Sequence, residues 1–233
     1  MTASAAPVEP PLPVASARHT MILVAVLLTL ALRGATLGTA GGGATKPPPL
    51  VPLYLSLIAA EWALVWAVAR GIRRSGTTLR ALVGGRWRTI GDVAADVVRA
   101  LACWATVKLL VRTWQWLPVL GDAPHAVAPL LPHSAAELAL WTALSVSAGV
   151  AEEVLFRGYF QRQFAAWTGS AWAALALQAV LFGASHGYQG LDASLRITLV
   201  GAIFGALALW RRSLRPGIIA HAWTDVASGV LRL

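Results

Sequence analysis

The sequence predicts an all-α fold, a polytopic membrane helix bundle of about seven transmembrane helices. Three observations predict it. The 233-residue chain is 57% hydrophobic and only 12% charged, half of the roughly 25% charged residues usual in soluble domains. Several of its apolar runs approach the roughly 20 helical residues needed to cross a bilayer. The arginines sit in short clusters between those runs, as in the cytoplasmic loops of membrane proteins. That clustering ties the net charge of +9 to membrane topology rather than to nucleic acid. The single Cys103 excludes an internal disulfide.

Residues 1–19 read as a disordered N-terminal tail, because MTASAAPVEPPLPVASA is rich in Ala and Pro and has no aliphatic periodicity. An apolar run follows from Thr20 to Arg33. Arg18 before it and small residues after it also fit a signal peptide; the charge-free continuation GATLGTA favours a tilted first transmembrane helix. The break GGGATKPPP separates it from a second span at 52–69. A loop carrying Arg70, Arg73, Arg74, Arg80, Arg86 and Arg88 comes next. Segment 90–111 is interrupted by Asp92, Asp96, Arg99 and Lys108, so it faces other helices or the interface. Residues 118–135 form a Pro-rich loop without Lys or Arg, with His125 and His133 as surface residues. Helical segments at 136–166, 170–187, 193–211 and 216–231 complete the chain. The organisation is thus tail, N-terminal helices and loops (20–135), and a C-terminal helical core (136–233). No internal repeat is evident, and GAIFG (201–205) offers a small-residue face for close helix packing.

The positive-inside rule places the arginine-rich loops and the N-terminus in the cytoplasm. The expected location is the inner (plasma) membrane, as a multi-pass protein.

The stretch AEEVLFRGYF (151–160) sets Glu152, Glu153 and Arg157 in apolar surroundings, where ionisable groups are costly and mark function. Helical spacing puts Glu153 and Arg157 on one face, so Arg157 neutralises one carboxylate. Segment 136–166 turns at TGS (168–170) and the next helix runs back. At about 1.5 Å per residue, Glu152 before the turn and His186 after it reach a similar depth. Phe182 and His186 share a face in FGASH, as do His221 and Asp225 in HAWTD.

In that order, EEVLFR, FGASH and HAWTD resemble the EExxxR, FxxxH and HxxxN/D motifs of the CAAX-protease and bacteriocin-processing family, over about residues 136–230. The resemblance implies a glutamate-dependent intramembrane endopeptidase, a type sometimes called a metalloprotease. It implies Glu152 as catalytic glutamate, His186 and His221 as site histidines, and Glu153, Arg157 and Phe182 as supporting residues. Asp225 stands where Asn is more usual.

Peptide hydrolysis needs an activated water and a stabilised oxyanion. A partly desolvated Glu152 suits proton transfer from water to the leaving amine. His186 would position the water, and His221 with Asp225 would hold the oxyanion. No cofactor is required on this reading; the alternative is Zn²⁺ on Glu152, His186 and His221, although no HExxH helix is present. The expected partners are the lipid bilayer and a membrane-anchored protein or peptide substrate, undergoing maturation or loss of a C-terminal sorting signal; nucleic acid is not among them. The small size and Ala/Arg-rich composition look prokaryotic, which favours these over prenyl-protein processing. Two other readings stay open: a family member without proteolysis, acting as a membrane regulator or immunity factor, and a small proton-coupled transporter.

Overall fold

The computed structural model describes residues 12–40, 49–114, 116 and 128–231. Among them the chain is helical, without a strand. The long helices are α1 (Ala17–Ala40), α2 (Leu50–Ile72), α4 (Ile90–Trp114), α5 (Ala135–Glu152), α7 (Ala171–Ser185), α8 (Leu191–Arg211) and α9 (Arg215–Leu231). Short α3 (Leu79–Val83) links α2 to α4, and α6 (Gln161–Thr168) precedes α7. Between α5 and α6 the helix does not break: Glu153–Phe160 continues it as π-helix.

Among the described residues, four helical stretches are long and apolar enough to cross a membrane: Ala17–Thr36, Leu50–Ser75, Ala135–Thr168 and Leu191–Arg211. Of the about seven expected, these four meet the length and composition of a span. Helix α4 carries Asp92, Asp96, Arg99, Lys108 and Arg112. Helix α7, apolar but 15 residues long, and α9, 17 residues long, are shorter than a full span. Large apolar side chains such as Leu30, Trp66, Leu101, Val180 and Trp210 point outward, as on a surface solvated by lipid.

Local sequence chemistry explains the element boundaries. Ser134 opens α5 with a capping box: its hydroxyl accepts from the Glu137 N–H at 3.2 Å, and the Glu137 carboxylate accepts from the Ser134 N–H at 3.1 Å. Ser170 caps α7 by accepting from the Ala173 N–H. Gly169, at φ 67°, supplies the left-handed turn that ends α6.

The core lies where α5, the π segment, α7, α8 and α9 meet. Val154, Leu155, Phe156, Tyr159, Phe160 and Phe182 form its centre, joined by Leu23 and Leu27 of α1 and Val68 of α2. Close crossings hold it. A Cβ at Gly149 of α5 would sit 2.7 Å from the Ala222 backbone nitrogen of α9, so glycine lets these helices touch. The GAIFG face of α8 packs as expected, and its carbonyls serve as acceptors. The Gly201 carbonyl accepts from Gln178 Nε2 at 3.0 Å, and that of Gly205 from Gln161 Nε2 at 3.1 Å.

The expected tail needs correction at its inner end. Of residues 1–19, Val14 and Ala15 are buried against the bundle, and α1 begins at Ala17. Buried Gln163 accounts for it: its Oε1 accepts from the Val14 and Ala15 N–H groups at 2.9 and 3.0 Å, and its Nε2 donates to the Ala15 carbonyl. A buried glutamine without these partners would be costly. Of the Pro-rich loop, 117–127 and with it His125 lie outside the described residues; His133 is exposed.

Candidate active site

The two adjacent glutamates lead separate lives. Glu153 is fully buried, and its Oε1 lies 3.0 Å from Arg157 Nη1. Arg157 is itself sealed: Nη2 donates to the Gly201 carbonyl at 3.3 Å, and the guanidinium lies 4.3 Å from the Phe182 ring centre and 5.3 Å from that of Phe204. Such cation–π contacts stabilise a guanidinium withdrawn from water. The other oxygen of Glu153 fits only because residue 217 is glycine, since a Cβ there would lie 2.9 Å from Oε2. Glu152, one residue earlier, keeps 24% of its side chain exposed.

His221 of α9 joins the two. Its Nδ1 lies 3.1 Å from Glu153 Oε1. Because a carboxylate can only accept, that bond puts the proton on Nδ1. Its Nε2 faces Glu152 Oε2 at 3.5 Å and Asp225 Oδ2 at 3.7 Å. The ring packs on Phe204 at 5.2 Å between centres, with Phe182 edge-on at 6.1 Å. Asp225, 36% exposed, is fixed through its backbone: its carbonyl accepts from Trp141 Nε1 at 2.9 Å and from the Ser228 hydroxyl at 2.7 Å. Nε2 therefore points between two water-accessible carboxylates, while Nδ1 is tied to a dry ion pair.

His186 lies apart. At the end of α7 its Nδ1 is shared between the Phe182 carbonyl at 2.8 Å and the Ser185 hydroxyl at 3.2 Å. Its ring meets Phe182 edge-on at 4.8 Å between centres. Phe182 thus stands between the two histidines. The structure brings Glu152, Glu153, Arg157, His221 and Asp225 into one network; His186 meets it through the Phe182 ring, and on its other side stacks on Tyr188 at 6.1 Å between centres. Among the described residues no group of three or more His, Cys, Asp or Glu side chains is arranged to hold a metal ion. Glu152, His186 and His221 are not arranged as such a group.

Sequence reasoning passed over Glu61. It lies in the second apolar run, on the α2 face that packs along α5. Tyr54 meets Trp141 edge-on at 5.7 Å, and two helical turns further along both chains Glu61 comes level with Ser147 and Ala148. Its Oε2 is buried without a hydrogen-bond partner, as is the Ser147 hydroxyl that faces it. Glu152, His221 and Asp225 are within its electrostatic reach. The missed signal was a lone carboxylate in an apolar span, which in a membrane helix marks a functional position.

Residues 134–227 match the model of the Rce1-like family, described as type II CAAX prenyl endopeptidase Rce1-like. This match and the resemblance read from the three motifs fall on the same segment, the one that carries the site. No curated protein and no solved structure matches the chain.

Proposed function

We propose that the protein is an intramembrane endopeptidase that hydrolyses a peptide bond of a membrane-associated protein or peptide. The observation carrying this reading is the division of labour between the two glutamates around His221. Glu153 and Arg157 hold the ring in place from the dry side; Glu152 and Asp225 meet its other nitrogen where water can reach.

A water between Glu152 and His221 Nε2 gives up a proton to the Glu152 carboxylate as its oxygen attacks the carbonyl carbon. The carboxyl then returns that proton to the amine as the C–N bond breaks. Asp225 orients Nε2 towards the reacting oxygen. His186, edge-on to Phe182 and held through Nδ1 by the Phe182 carbonyl, lends its ring to the wall that positions substrate. Sorting tails or leader peptides at the membrane surface are the substrates in view, with the arginine-rich loops cytoplasmic and the chain in a plasma membrane.

The test is cleavage of co-expressed membrane-anchored candidates by wild type and Glu152→Gln, read by mass spectrometry of membrane fractions. A product made only by the wild type is expected. Equal cleavage by both would refute Glu152 as the base. No cleavage by either, at equal membrane levels, would favour a non-proteolytic regulator. Inclusion of a strong chelator in the same assay is expected to leave the product unchanged; its loss would restore the zinc alternative.

A further inference from the structure

A polar cavity of about 550 Å³ opens at the arginine-rich end of the bundle, lined by Arg80, Arg86, Trp87, Arg88, Asp92 and Arg215. It is built, not incidental. The Leu214 N–H donates to the Val83 carbonyl at 3.0 Å and the Ser213 hydroxyl to the same oxygen at 3.2 Å, locking the turn before α9 onto α3. Arg215 forms its floor. Its Nε pairs with Asp96 at 3.3 Å, its guanidinium lies 5.3 Å from the centre of a Trp87 ring, and Trp87 Nε1 donates to the same carboxylate at 2.9 Å. That arrangement leaves Arg215 Nη1 buried with no partner.

The cavity has four guanidinium groups and one carboxylate on its walls. Asp92 is engaged by the backbone: its Oδ2 accepts from the Arg88 and Thr89 N–H groups at 2.9 and 3.0 Å. Asp96 is satisfied by Arg99, Arg215 and Trp87. Arg80, Arg86 and Arg88 are exposed and, among the described residues, their guanidinium groups have no ion pair. Three unpaired cations and one unsatisfied buried N–H therefore converge on a space of headgroup size. Guanidinium forks match phosphate oxygens in geometry and charge.

The rim identifies the source of the phosphate. Trp87 is 43% exposed and Ile90, at the start of α4, is 85% exposed. A tryptophan and a bare isoleucine beside an arginine cluster mark the boundary between hydrocarbon and headgroups. We propose that this cavity binds the phosphate of an anionic membrane lipid, seating the end of the bundle from which α9 carries His221 into the site. The proposal is independent of proteolysis.

The test is native mass spectrometry of the full-length protein in detergent, titrated with phosphatidylglycerol, phosphatidylcholine or inorganic phosphate. Wild type is expected to bind phosphatidylglycerol in preference to phosphatidylcholine. The double variant Arg86→Gln/Arg88→Gln is expected to weaken phosphatidylglycerol binding by about thirtyfold. Arg73→Gln/Arg74→Gln, which removes two charges of the same loop outside the cavity, is expected to leave it unchanged. If Arg86→Gln/Arg88→Gln does not fold, Arg80→Gln/Arg88→Gln serves the same purpose. Equal loss in the Arg73/Arg74 control, or none in the cavity variants, would overturn the proposal. Displacement of the lipid by inorganic phosphate at low millimolar concentration would overturn the lipid source.

Discussion

Replacing Arg157 by Met removes the cation of a buried pair while roughly keeping its volume. At 3.0 Å the charges of Arg157 and Glu153 attract by about 5.5 kcal/mol at an effective dielectric of about 20. Desolvating both groups offsets much of that gain, but the variant loses the attraction and keeps the desolvated carboxylate. Only His221 Nδ1, at 3.1 Å, would remain to compensate Glu153. Breaking such a pair costs about 3–5 kcal/mol, whereas replacing both members by apolar residues is often close to neutral. Glu153→Leu/Arg157→Met should therefore recover most of the stability lost by Arg157→Met. The assay is SDS-induced unfolding in mixed micelles, followed by far-UV circular dichroism, for wild type, each single variant and the double. A coupling energy of at least about 2 kcal/mol is expected. Additive effects, or a loss below about 1 kcal/mol in Arg157→Met, would refute the sealed ion pair. The double variant should still be inactive, because Nδ1 of His221 loses its acceptor.

Three further outcomes follow from close contacts. Gly217→Ala should cost about 1–3 kcal/mol by overpacking, since its Cβ would lie 2.9 Å from Glu153 Oε2; unchanged micelle unfolding would contradict the contact. Glu61→Gln, which keeps the shape of a side chain facing the site, should lower cleavage about tenfold or more without altering membrane levels, and full activity would reduce Glu61 to a helix-packing residue. Cys103, 7% exposed against the Phe204 and Ala220 cluster, should react with a maleimide at least about a hundred times more slowly in the folded protein than in SDS; rapid labelling would mean that α4 does not pack on α9 as described.

Much of the C-terminal architecture could be read in advance because its signals are local. The Ser134 and Ser170 caps, the TGS turn and the spacing of His221 and Asp225 each act within one helical turn. Two features escaped. The π-helix over Glu153–Phe160 has no composition of its own; π segments often mark functional sites, yet only packing reveals where the register widens. The local partners of His186 also escaped, because equal depth along two helices says nothing about which way each side chain turns. His186 bonds back to the Phe182 carbonyl of its own helix, and the ring of Phe182 fills the gap. Glu61 was legible in principle, but the run around it was read for length rather than for its one charge.

The sorting of Glu152 and Glu153 follows from helix geometry. Successive residues of a helix project roughly 100° apart, so two adjacent carboxylates cannot share one environment. When Glu153 is turned into the core towards Arg157, Glu152 is carried round to the margin of the core, where 24% of its side chain stays exposed. A single imidazole can then touch both, one through each nitrogen. The consequence separates stability from chemistry. Glu152→Gln should unfold like wild type and lose about 10²–10⁴-fold in turnover, the usual worth of a positioned base. Glu153→Gln should instead strand Arg157, with the stability loss of a broken buried pair, and lower turnover only through a loosened His221. Measured together by micelle unfolding and product formation, the two variants should fall on opposite corners. If Glu152→Gln destabilises as much as Glu153→Gln, or if Glu153→Gln leaves stability untouched, the assignment of one carboxylate to the fold and the other to water is wrong.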